Sequence, residues 1–167
     1  MSAIPTVLVL LQILRVLAWA GPHKAAEGVC FRSQEEMARV WVADGGKAEN
    51  RPKVDWEKEM VLALFAGEKP TGGFKVEIEK VIQVQVKDKK GGRETLRTKD
   101  LVVLYRGTAP APGAAATDAL TYPAHVVVVP KSEGQVLFFD VASEPGKHYL
   151  GALGKAAPDG EEGGGKK

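Results

Sequence analysis

The stretch MVLALFAGEKPTGGFKVEIEKVIQVQV, residues 60–86, decides the fold class. Its opening run, Met60 to Ala66, is continuously apolar and too short for a buried helix, as befits a strand covered on both faces. From Phe74 the period becomes two. Phe74, Val76 and Ile78 alternate with Lys75, Glu77 and Glu79, and the alternation resumes on the same parity at Ile82, Val84 and Val86. A strand from Phe74 to Val86 would reach about 43 Å at about 3.3 Å per residue, longer than small sheets usually hold. A bulge or bend is therefore expected near Lys80-Val81, restoring the facing after one irregularity.

Between the two runs lies GEKPTGGF, Gly67 to Phe74. A phosphate loop needs Lys then Ser or Thr directly after its last glycine, and a helix behind it. Here Lys69 precedes Pro70, and Phe74 opens a strand-period segment, so a nucleotide cradle is excluded. Pro70 fixes φ and Gly72-Gly73 accept angles other residues resist, which predicts a hairpin turn. The functional alternative is a stiff projecting loop, because a preorganised loop loses less entropy on binding.

Working outward, Ser33-Gln34-Glu35-Glu36 has the spacing of a capping box. Met37, Val40 and Trp41 then form one apolar stripe, and Asp44-Gly45-Gly46 ends the helix. Downstream, Lys87 to Glu94 reads as a turn around Gly91-Gly92, and Leu101 to Arg106 as a strand. Ala109 to Ala119 lacks bulky apolar residues and reads as an exposed loop. His125 to Val129 and Gln135 to Val141 flank Pro130 to Gly134 as a hairpin. Residues 143–167 are glycine-rich and read as a disordered tail, with Tyr149-Leu150 docking. The sum is an α+β fold dominated by β: an N-terminal helix on a curved, mostly antiparallel sheet, either sandwich or partial barrel. Short connections make an antiparallel meander the expectation. Residues 28–142 form its single domain.

The chain has 167 residues, enough for one core, and a net charge of +2 with no massed basic stripe, which argues against nucleic acid. With one cysteine, Cys30, no intrachain disulfide can form, and three scattered histidines make a structural zinc site improbable. No cofactor and no metal are expected. Residues 1–27 leave two readings open. Ile4 to Ala20 ends in Ala18-Trp19-Ala20, a pattern that signal peptidases accept, but no Lys or Arg precedes it. The other reading is a first, buried strand. The segment is too short and interrupted for a stable membrane span. The first reading places the protein in the cell envelope or outside it, the second in the cytoplasm.

No reaction class has a complete set of parts, so no catalytic residue is assigned. Asp55 with Glu57, and Glu77 with Glu79, read as solvated charge. His125, ahead of four valines, reads as a strand histidine satisfied through one ring nitrogen. Cys30 and Trp56 read as core. Tyr122-Pro123 shapes the start of a strand, and an exposed Tyr122 would anchor an interface.

Val54-Asp55-Trp56, MVLALFAGEKPTGGFKVEI (60–78) and LTYPAHVVVVPK (120–131) together resemble the PrcB family, over roughly Ser33 to Val141. The family takes its name from an accessory subunit of a bacterial surface protease complex. Three departures are plain: Phe74 stands where members usually have Tyr, Met37 and Ala124 stand where they often have another aromatic, and the lipid attachment site of the namesake is missing. The resemblance implies a non-catalytic protein-binding module whose protein partner is a protease or another envelope protein. Pro70-Thr71-Gly72 is also loosely similar to the inhibitory loop of chagasin-type cysteine protease inhibitors, which raises a peptidase inhibitor as the alternative. A structural β domain is the third reading. The partner-binding residues are expected to be Lys69, Pro70, Thr71, Gly72, Gly73, Phe74 and Tyr122.

Overall fold

The computed structural model describes residues 6–90, 93–96 and 99–153. In chain order the elements are β1 (Thr6–Leu11), β2 (Arg15–Leu17), β3 (Ala26–Phe31), α1 (Gln34–Ala43), β4 (Glu59–Ala66), β5 (Lys75–Lys90), β6 (Arg93–Leu96), β7 (Leu101–Thr108), β8 (Ala124–Pro130), β9 (Val136–Asp140) and a helix α2 over 144–153. The strands make two sheets. One has the order β1-β5-β7-β9, with β6 paired to the far end of β5; the other has the order β2-β8-β4-β3. The expected β-dominated α+β class holds, as an open sandwich and not a barrel. The N-terminal segment switches sheets between β1 and β2, so it edges both of them.

Three apolar layers hold the sandwich together. Met60, Leu62, Leu64, Val127 and Val129 meet Ile78, Val81, Leu101 and Val103 between the sheets. On the outer face of the β4–β8 sheet, Phe31, Val61, Ala63, Phe65, Val126 and Val128 pack with Met37 of α1. On the other outer face, Ile82, Val102 and Leu104 pack with Val141 and Leu153, flanked by Tyr149 and Leu150. Both faces of β4 are therefore covered, as its unbroken apolar run requires. Each fully buried Leu, Val or Phe contributes roughly 1.5–3 kcal/mol.

The α1 start follows the capping pattern. Ser33 Oγ accepts from the Glu36 N–H at 3.2 Å, and the Glu36 carboxylate reaches back to the Arg32 N–H at 2.7 Å. At the other end the Gly46 N–H donates to Trp41 O at 2.8 Å, closing the last turn.

Four expectations are corrected. First, Gly67 to Phe74 is no hairpin turn, because β4 and β5 belong to different sheets and the stretch crosses between them. Second, β8 and β9 form no hairpin either. Both edges of β8 are occupied, by β2 and β4, so the chain crosses to the other sheet and lays β9 parallel to β7. Residues 109–135, with β8 among them, supply the long crossover a parallel pair needs. Ser132 anchors this second crossing: it is buried, donates its hydroxyl to Lys99 O at 2.9 Å and accepts from Gln83 Nε2 at 3.1 Å.

Third, the irregularity in β5 lies at Glu79: Ile78 pairs with Tyr105 and Lys80 with Leu104. One extra residue reverses the facing instead of restoring it. Val76, Ile78 and Val81 face the inter-sheet core, while Ile82 and Val84 turn to the face covered by α2. Fourth, 144–153 is helical where a tail was expected, and Tyr149 and Leu150 do dock. The turn at Gly91-Gly92 and the chain beyond 153 lie outside the described residues. No described helix is long and apolar enough to cross a membrane.

Candidate functional site

Two loops of very different composition meet at one end of the sandwich. The crossing stretch after β4 runs beside the segment leading into β8, and Lys69 exchanges both backbone hydrogen bonds with Thr121, at 2.8 and 2.9 Å. Thr121 Oγ1 donates to Thr71 O at 2.8 Å, and the Gly72 N–H donates to Thr117 O at 3.1 Å. The Ala66 N–H donates to Pro123 O at 2.9 Å. This ladder continues the β4–β8 pairing into the loops.

Glycine is required here by two separate constraints. Gly73 has φ +91°, which disfavours any side chain, and Pro110 packs where its Cβ would stand. At Gly72 a Cβ would lie 2.6 Å from Thr117 Oγ1. The brace comes from residues 109–121, whose role was not read from sequence. Its only cue there is its length; Pro110, Thr117 and Thr121 are the residues through which it braces the loop.

Pro70 and Gly73 are exposed, whereas Thr71 and Gly72 are half-buried against the brace. Lys69 sets its ammonium over the Phe74 ring, 5.5 Å from the centroid, a cation–π contact. Tyr122 is half-buried and its hydroxyl donates to Glu68 Oε1 at 3.1 Å. Loss of water, then the Glu68 carboxylate, pushes its pKa up. The seven residues singled out from sequence thus share one rim.

Beside that rim a groove of about 540 Å³ opens between the sheets. Phe74, Tyr105 and Phe138 line it with Lys69, Lys75 and Gly28. Gly28, Lys75, Tyr105 and Phe138 carry no functional signal in the sequence, because they come together only through the two crossings.

The remaining candidates take structural places. His125 Nδ1 accepts the Ile78 N–H at 2.8 Å, across from one sheet to the other. Asp55 Oδ1 accepts the Glu57 N–H at 3.3 Å in the turn before β4, and Glu79 pairs with Arg106 at 2.7 Å. Cys30 is half-buried beside Met60, and burial pushes its thiol pKa up. Trp56 packs on the α1-side cluster. Among the described residues, no three His, Cys, Asp or Glu side chains converge as a metal site.

No curated protein and no solved structure matches the chain. A family model does. Residues 60–130 match the family described as PrcB C-terminal, a span running from β4 to the end of β8 and enclosing the rim and its brace. Over that span, the chain is similar to the PrcB C-terminal family.

Proposed function

We propose that this protein is a non-catalytic protein-binding module, an accessory or stabilising component for a protease, and that it docks through Lys69 to Phe74 and Tyr122. The observation carrying this reading is the brace. Four backbone-directed bonds, from Lys69 N, Thr121 N, Thr121 Oγ1 and Gly72 N, hold the crossing loop in one shape before any partner arrives. A loop already ordered does not lose that freedom again on association. A partner that binds only the folded state also stabilises it by mass action, by about 2.7 kcal/mol at a hundredfold excess over Kd.

The same brace weighs against the inhibitor reading. Half of Thr71-Gly72 is spent against residues 109–121, leaving a low rim instead of a free wedge for a protease cleft. The test has two arms. Immobilised protein should retain an intact, active protease from envelope or cytosolic extract, and titration into a peptidase panel should leave activity unchanged. Loss of peptidase activity on titration establishes inhibition instead. Pro70→Asp, at the exposed tip, should abolish retention with the far-UV spectrum unchanged; retention that survives it removes the loop from the interface.

A further inference from the structure

We propose that the groove beside the rim binds an extended peptide segment of a protein partner, one that carries a carboxylate between apolar side chains. This rests on the protein-binding reading and names the chemistry of what is bound. Three observations point the same way. The walls are aromatic: Phe74, Tyr105 and Phe138 face the space. Phe138 lies directly over Gly28, where any side chain would collide with the ring, so the groove keeps its shape because that position of β3 is bare.

The charge is one-sided. Lys69 and Lys75 line the groove, and neither ammonium has an anionic partner among the described residues. The one carboxylate on the wall, Glu27, is engaged by His23 Nε2 at 2.7 Å. An incoming carboxylate therefore meets two cations that no described carboxylate neutralises, one of them resting over the Phe74 ring, and no free anion. Finally, β3 is the end strand of its sheet, so its outer N–H and C=O groups have no strand partner. Such an edge accepts an added strand, with backbone bonds giving affinity and alternate side chains giving selectivity. A small inorganic anion would use the lysines alone; an extended acidic–apolar peptide uses lysines, aromatic walls and edge together.

Random heptapeptides displayed on phage and selected on the folded chain test this. The expected winners alternate apolar residues with Asp or Glu. Their affinity, by fluorescence anisotropy, should fall roughly tenfold for Lys69→Glu/Lys75→Glu, the size of losing two partly screened ion pairs. Replacing the peptide's own Asp by Asn on the wild-type protein should give a loss of the same kind, with no dependence on how the variant folds. No enrichment, basic winners, or acidic winners that bind the double variant equally well would overturn the groove. The parent reading fails separately: winners that bind the groove yet displace no captured protease leave this site standing and remove the protease connection.

Discussion

His23 stands between two carboxylates, with Nδ1 2.7 Å from Asp44 Oδ2 and Nε2 2.7 Å from Glu27 Oε2. Its ring stacks on Phe65, and Trp19 Nε1 donates to the same Asp44 oxygen at 2.8 Å. Burial by itself lowers its pKa, but the hydrogen bonds and charges of Glu27 and Asp44 outweigh burial, and the net shift is upward. Only the imidazolium can donate to both carboxylates. A folded pKa above the unfolded value of about 6.5 gives stability that is complete below that value and lost as pH rises through the folded pKa. His23→Gln should therefore cost about 1 kcal/mol in urea melts at pH 5.5, shrinking towards pH 8.5; a cost independent of pH would refute the ion-paired assignment. His125 has the opposite sign. Burial lowers its pKa, with Glu77 partly countering, and its Nδ1 must stay unprotonated to accept from Ile78. Its contribution is present above about pH 6.5 and lost as pH falls through the lowered value. His125→Leu leaves that N–H without an acceptor and should cost about 1–3 kcal/mol at pH 8 but less at pH 5. Equal costs at the two pH values would show that the bond does not depend on the neutral ring.

At the scale of elements, β1 and β2 carry the residues with the most contested reading. Six residues of β1 pair with β5, three of β2 pair with β8, and Trp19 just beyond joins the aromatic group of Phe31, Trp41 and Phe65. A chain beginning at Gly21 should then lose its cooperative melt and become protease-sensitive; the same melting profile as the full chain would show that the segment is dispensable and free to be removed. What could be read from sequence follows the range of the interactions. The capping box at Ser33, the stripe through Met37 and Trp41, and the doubly covered run at 60–66 are settled by neighbours within a few positions, and they were legible. The parallel placement of β9 was not, because it follows from the edges of β8 being occupied by β4 and β2, strands far back in the chain. Helix α2 was hidden by Gly146 and Gly151, poor helix formers, although Tyr149, Leu150 and Leu153 keep a helical spacing. In the site, the Pro-Gly chemistry at 70–73 marked the rim, but its brace and the groove depend on crossings that no local pattern encodes.

Across the whole molecule the layers run α1, one sheet, the other sheet, α2, and each sheet has both faces covered. The two sheets are also bonded to each other, through His125 to Ile78 and through Ser132 to Gln83. Neither sheet can open without exposing the shared layer, so the chain should unfold as a single unit. The tryptophans offer a way to see this. Trp19 and Trp56 pack against the α1-side cluster, and Trp41 is buried on α1 itself, so all three report from one outer layer. Leu104 is fully buried on the opposite outer face, beneath α2. Leu104→Ala should cost about 2–5 kcal/mol by removing buried methyl groups and leaving a cavity. If the layers are one cooperative body, tryptophan fluorescence should register that whole loss from two layers away, its urea midpoint shifting together with the far-UV signal. A fluorescence transition that stays put while the far-UV curve moves or splits would mean that the α1 side is a separate folding unit.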